Sequence, residues 1–356
     1  MGAGKALAAG FYRDVVARLV GVPHAAALVG EGSEVLGFDD SRSTDHAWGP
    51  RLHVFVAPGD VGETQRRVTQ GLPETYRSYP VEFFAWQDQR VRHHVTVTTV
   101  EEWVRAELGQ PVPSTLADWL GLPQQRLLQV TAGEVFHDDR GDLGRVRGQL
   151  GYFPDDVWWW IQASQWQLVA RAEALPGRLA EVHDVLGVRV READLARLLM
   201  ELALVQRRRY VPYPKWLGAA FGQLDTAREL DGPLGRLLSS EARETREAAA
   251  AAALEAAARQ HNRLVPEHPL DPGCAPFEVG INGARRPYRV LNAGRFVEAC
   301  LARVTDPGLA RLLPVGAIDQ LTHGSDAMVN VSTWPSRLTA TYAAMLESGR
   351  NRRAEP

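Results

Sequence analysis

The sequence predicts an α+β protein, with a small mixed sheet and flanking helices in residues 1–145 and an all-helical second domain in residues 146–356. Three observations carry this. Short apolar runs of strand length alternate with helical periodicity through the first third of the chain. From Pro154 onward the periodicity is helical almost throughout. Between them, Asp138-Asp139-Arg140-Gly141-Asp142 reads as a polar turn, so the boundary falls near 140–153.

The elements follow in order. Leu7, Phe11, Val15, Val16 and Leu19 recur at helical spacing and predict a helix over 5–21. Strands are predicted at 24–30 and 51–57. Gly59 and Asp60 open a helix that runs to about Gly71. Val81 to Trp86 reads as a third strand and His94 to Thr99 as a fourth. Val100 to Leu108 is a helix, and Ser114 or Thr115 caps another. Pro154 suits the first turn of a long helix, with Asp155 and Asp156 favourable at its positive end. Helix continues over 178–208, with a break near Val185-Leu186-Gly187. The alanine-rich stretch 240–260 is helical by propensity. Pro266, Pro269, Pro272 and Pro276 mark an irregular crossing, and short helices near 292–304 and 306–313 close the chain.

Composition narrows the function. Apolar residues at 45% and charged residues at 23% are those of a folded globular protein. A net charge of −3 argues against a polynucleotide partner, which calls for a basic field. No apolar run reaches the ~20 residues that span a bilayer. Arg13, Asp14 and Arg18 make the N-terminal segment an amphipathic helix rather than a signal peptide, so the expected location is cytoplasmic. The two cysteines, Cys274 and Cys300, are too few for a zinc site of their own.

The residues best placed for chemistry surround a small-residue turn. Gly32-Ser33 follows an apolar run, and Asp45 comes about a dozen residues later, ahead of a second apolar run. Such a turn offers a hydroxyl and bare backbone N–H groups to phosphate, and a carboxylate at the next strand can hold a divalent cation against it. Arg51 can bind phosphate as a planar fork, or pair with Asp45 or Glu82. Glu82 lies in a strand with one buried face, where a carboxylate is either edge-exposed or functional. Lys5 and Lys215 are the only lysines among 40 Lys and Arg residues, which draws attention to Lys215 in Tyr210-Val211-Pro212-Tyr213-Pro214-Lys215-Trp216. Tyr210 or Tyr213 can stack on a base or fill core. Trp158, Trp159 and Trp160 span nearly a full helical turn, so they cannot share one face and read as packing. His93 and His94 point apart on a strand and read as neither being a metal ligand.

Five stretches resemble a bacterial family, domain of unknown function 4037, with a nucleotidyltransferase-like N-terminal domain. They are GSEVLGFDD, STDHAWGPRL, YFPDDVWWW at 152–160, RRYVPYPKWLG at 208–218 and GAIDQL at 316–321. The resemblance implies a nucleotidyltransferase that binds an NTP, ATP first, with Mg²⁺ in an interdomain cleft and transfers a nucleotidyl group to a small-molecule acceptor. It implies Asp45 and Glu82 as catalytic metal ligands. Gly32, Ser33, Arg51, Tyr210 and Lys215 would contact the nucleotide. It also implies a carboxylate two residues after Asp45, where this chain has Ala47. That departure leaves a second reading, a degenerate nucleotide-binding or regulatory module, unless Asp39 or Asp40 supplies the ligand. A third reading is an interaction protein that has kept only the fold.

Overall fold

The computed structural model describes residues 3–45, 48–85, 89–279, 284–323 and 334–351. It divides into two compact units. The first holds residues 3–114 and 122–151, and the second holds 115–121, 152–323 and most of the last helix.

The first unit begins with α1 (Ala3–Phe11), a π-helical turn (Tyr12–Val16) and α2 (Ala17–Val20). The sequence periodicity marked this as one helix, and the π turn is a local widening within it. It is followed by β1 (Ala25–Leu28), a four-residue helix α3 (Ser33–Leu36), a 3₁₀ turn (Ser43–Asp45) and β2 (Arg51–Phe55). Helix α4 (Val61–Gly71) then leads to a small ladder, β3 (Thr75–Tyr76) and β4 (Tyr79–Pro80), and to the hairpin β5 (Glu82–Ala85) and β6 (Arg90–Thr98). Helix α5 (Val100–Leu108) and, after the second unit's α6 (Leu116–Leu120), helix α7 (Gln124–Thr131) come before β7 (Glu134–Asp138) and α8 (Asp142–Gln149). Thr115 caps α6 in a capping box with Asp118.

The main sheet has the order β5-β6-β2-β1-β7. β1 is antiparallel to both β2 and β7, while β2 and β6 are parallel, joined by a crossover that includes α4. A small mixed sheet with flanking helices is thus the observed architecture of this unit. Alternate residues of its strands build the core. Ala26, Leu52, Val54, Val95 and Val97 bury one face against Leu7, Phe11, Val16 and Val20 of the N-terminal helices and Val68 of α4. The opposite face carries Arg51, His53 and Phe55 of β2, with Trp103 of α5 5.1 Å from the Phe55 ring.

The second unit is built on α9 (Asp155–Ala172), α10 (Leu175–Glu181), α11 (Val185–Gln206), α12 (Leu217–Gly222), α13 (Ala227–Ser239) and α14 (Arg243–Leu264). It continues through the hairpin β8 (Ala275–Val279) and β9 (Ala284–Val290) to α15 (Gly294–Leu301), α16 (Pro307–Ala310), α17 (Ile318–Thr322) and α18 (Trp334–Asn351). The four tryptophans of α9 are core. Trp158 Nε1 donates to the Val205 carbonyl at 2.8 Å, Trp160 Nε1 donates to the Leu312 carbonyl at 3.2 Å, and Trp166 stacks on Phe296. Arg246 and Glu192 form a buried pair between α14 and α11, Nε lying 2.9 Å from both carboxylate oxygens.

Two expectations are corrected here. The second unit is not all-helical, because β8 and β9 pair antiparallel. The prolines that mark 266–276 as irregular conceal a period of two, with Tyr288 and Val290 buried and Arg289 exposed. The chain also does not close with the helix near 306–313, since α17 and α18 follow, and Tyr342 of α18 donates to the Gly316 carbonyl at 2.8 Å.

Candidate functional site

The Gly-Ser turn lies at the C-terminal end of β1. Gly30 and Gly32 both adopt positive φ, 88° and 127°, a region that L side chains avoid. The Gly30 N–H donates to the Gln129 carbonyl at 2.8 Å, which ties the turn to α7. Ser33 opens α3, and its carbonyl accepts from the Phe38 N–H at 2.9 Å. The first-turn N–H groups of a helix have no intrahelical partner.

Beneath the turn sits an ion pair. Arg51, the first residue of β2, donates from Nε to Glu34 Oε1 at 2.7 Å and places Nη2 2.5 Å from the same oxygen. Its Nη2 also donates to the Glu31 carbonyl. Glu34 is only 4% exposed. A Cβ built on Gly32 would stand 2.5 Å from Arg51 Nη2 and 2.6 Å from Glu34 Oε2. The glycine is therefore required by the ion pair packed under it. Arg51 pairs with Glu34, a partner the sequence did not point to, and its fork is engaged within the protein.

Two titratable groups lie beside this pair. His53 is two residues along β2 from Arg51 and on the same face. Burial, with the Arg51 guanidinium nearby, pushes its imidazole down to about 3. Glu107 on α5 is half-buried, and burial pushes its carboxyl up to about 7, against the opposing pull of Arg126. The nearby charge of Glu31 adds to the rise. Glu107 Oε1 and His53 Cε1 are each 3.8 Å from where a Cβ on Gly30 would be, so both lie close under the turn. Neither residue was singled out from the sequence. The signal for Glu107 was present: it is four residues from Trp103 and seven from Val100, on the inward stripe of an amphipathic helix.

The other expected site residues divide as follows. Asp45 ends the 3₁₀ turn before β2, but its side chain and Ala47 lie outside the described residues. Asp39 Oδ2 accepts the Gly4 N–H at 2.9 Å, and its Oδ1 is buried without a hydrogen-bond partner. Asp40 Oδ1 accepts from the backbone of Arg42 and Ser43, closing a local turn. Glu82 starts the edge strand β5 and is exposed. It pairs with His93, whereas Arg51 pairs with His94. Cross-strand partners share a face and successive residues do not, so Glu82 lies on the face opposite to Arg51 and His53. His93 confirms that geometry by bonding Thr69 of α4. The expected convergence of Glu82 with the turn is thus corrected, because the strand alternation turns it away. Lys5 is the lysine near the turn, with Nζ 3.5 Å from a Cβ built on Gly37.

In the second unit, Lys215 is exposed in a 3₁₀ turn (Pro214–Trp216), with Nζ 4.7 Å from the Trp216 ring centre. Tyr210 is buried, stacked 4.8 Å from Tyr152 and edge-on to Phe153 at 5.1 Å. Its ring stacks on Tyr152 and is buried, which corrects the base-stacking expectation for Tyr210, while Tyr213 is exposed. Residues 119–217 match the family described as Domain of unknown function (DUF4037). The DUF4037 match includes 152–160 and all but the last residue of 208–218, and it leaves out the Gly-Ser turn, Asp45 and 316–321. Neither a curated protein nor a solved structure matches the chain.

The two DUF4037 stretches interlock. Asp155 accepts from Arg208 at 2.6 Å, and the Arg208 guanidinium stacks 3.7 Å over the Trp158 ring. Those contacts hold Arg208 at φ 51°, an uncommon backbone state for a long side chain. Asp156 accepts from the backbone N–H groups of Thr305 and Asp306. Asp155, Asp156 and Arg208 are thus engaged in holding α9, the end of α11 and the segment before α16 together.

Proposed function

We propose that the first unit is a nucleotidyltransferase-like module that binds the phosphates of a nucleotide at the Gly32-Ser33 turn, and that in this chain it binds rather than transfers. The observation that carries the reading is the strand connection. β1 ends in the Gly-Ser turn, the antiparallel β2 begins beside it, and a crossover through α4 returns the chain parallel to β2 in β6. Turn and strand start therefore meet at one end of the sheet.

In this reading the Ser33 hydroxyl and the first N–H groups of α3 take phosphate oxygens. Asp39 suits a Mg²⁺ ligand, since a buried carboxylate oxygen without a partner is costly unless a cation or donor meets it. Asp45 is the second ligand by its place before β2. Arg51 acts indirectly, by holding both sides of the turn through Glu34 and the Glu31 carbonyl.

Two features favour binding over transfer. Position 47 carries no carboxylate, and the register turns Glu82 to the other face. Phosphoryl-type transfer with metal needs several carboxylates to fix the cation and offset its charge. Isothermal titration with ATP and Mg²⁺ tests the reading on the full chain. Binding is expected, and Ser33→Ala is expected to weaken it about tenfold, the effect of losing one hydrogen bond to a charged group. Equal affinity in a folded Ser33→Ala protein, or no binding of any nucleoside triphosphate, overturns the site. Pyrophosphate release by the unsubstituted protein would instead establish transfer.

A further inference from the structure

A second cluster lies at the opposite end of β1. The β1–β7 register pairs Ala25 with Asp138 and Ala26 with His137, and the Asp139 N–H donates to the His24 carbonyl at 3.1 Å. His24 is therefore opposite Asp139, with His137 one step along on the same face. The side chains meet accordingly. His137 Nε2 is 2.8 Å from Asp139 Oδ1, and His24 Nδ1 is 3.9 Å from Asp139 Oδ2. One donor atom from each residue lies within 4.8 Å of the other two.

We propose that His24, His137 and Asp139 form a binding site for a divalent transition metal, with Zn²⁺ as the best fit. Two imidazoles and one carboxylate are a ligand set suited to this ion, which binds nitrogen and oxygen at about 2.0–2.2 Å and accepts a water as fourth ligand. Donors on a common tetrahedron of that size stand roughly 3.3 Å apart, so the side chains need only small movements.

The surroundings support the assignment. Burial holds the His24 imidazole below its usual range, which disfavours its charged form. Its Nε2 is 2.9 Å from the Tyr12 hydroxyl, a contact that would orient the ring as an outer partner while Nδ1 faces the metal. Nδ1–H donates to the Val22 carbonyl at 2.8 Å; coordination at Nδ1 gives up that bond and moves the proton to Nε2, which then donates to the Tyr12 hydroxyl. Tyr12 begins the π turn, and such insertions in helices are found frequently at functional sites. Asp139 is further fixed by accepting the His24 N–H at 2.8 Å. A cavity of 450 Å³ touches His24 but is lined by Ala25, Phe55 and Asp138 from the other face, so it is not part of this site.

The test is titration of the tag-free full chain with ZnCl₂ and CoCl₂. One Zn²⁺ per chain is expected, with Co²⁺ giving the visible absorption of a four-coordinate site. His137→Ala and Asp139→Asn change side chains that are 38% and 39% exposed, so both variants should fold with an unchanged melting midpoint in chelator. Each is expected to bind Zn²⁺ at least about tenfold more weakly, because one of three protein ligands is lost. No binding at about 100 μM Zn²⁺, at which a micromolar site would be nearly saturated, overturns the proposal. So does full affinity in both variants, which would place the ion elsewhere. The cobalt spectrum of the unsubstituted protein decides the matter should either variant fail to fold.

Discussion

Arg51→Ala is expected to destabilise the first unit by about 3–5 kcal/mol, the usual effect of removing one partner from a buried ion pair. The argument rests on what is left behind. Glu34 is 4% exposed, and its carboxylate loses the Nε contact at 2.7 Å and the Nη2 contact at 2.5 Å. The Glu31 carbonyl loses its donor as well. Adding Glu34→Gln to the variant should restore part of the stability, since a neutral amide costs less to bury than a carboxylate. Urea unfolding followed by far-UV circular dichroism measures both. A loss below about 1 kcal/mol, the value typical of an exposed pair, would mean that the turn is not held from below. Because the pair holds both ends of the turn, Arg51→Ala should also weaken nucleotide binding more than Ser33→Ala does.

The elements that could be read from the sequence are those where one pattern dominates. The Val100–Leu108 helix has its predicted bounds because Thr99 caps it and Gly109 ends it in the left-handed region. The strands at β1, β2, β5 and β6 follow from short apolar runs bounded by turn residues. The strand β7 was not legible: Glu134-Val135-Phe136-His137-Asp138 has no apolar face, and all five residues are only half-buried. It merges in the sequence with the polar turn that follows it. The hairpin β8–β9 was hidden by prolines in the same way.

The candidate sites show a similar division. The Gly-Ser turn was legible as a turn, because glycine supplies the positive φ that the chain adopts there. What was not legible was partnership. Glu34 looked like an ordinary first-turn acid, yet it is the buried partner of Arg51, seventeen residues away along the chain. Glu82 looked suitable as a carboxylate on a neighbouring strand, and its pairing with His93, next to the His94 that pairs with Arg51, puts it on the other face. His24 and His137 are over a hundred residues apart, and only the pairing of β1 with β7 brings them together.

Glu107 yields a prediction with a definite pH signature. Its carboxyl is raised from 4.5 to about 7 in the folded protein, chiefly by burial. The folded state thus binds this proton more tightly than the unfolded state. Its contribution is fully present below about pH 4.5, is lost as the pH rises through about 7, and changes no further above that. At about 1.4 kcal/mol per unit, discounted for partial exposure, the loss is of the order of 2 kcal/mol. Glu107→Gln removes the charge, so the variant should be more stable than the unsubstituted protein at pH 8 and closer to it at pH 5. The measurement is the difference in unfolding free energy between the two proteins at the two pH values, which cancels the other titrating groups to first order. Equal differences at pH 5 and pH 8 would show that Glu107 ionises freely and that the space beneath Gly30 is wet. If the predicted slope is found, the same group is a proton acceptor poised near neutral pH beside the turn. Adding a phosphate ligand should then raise its pKa further, because a second negative charge nearby disfavours the carboxylate.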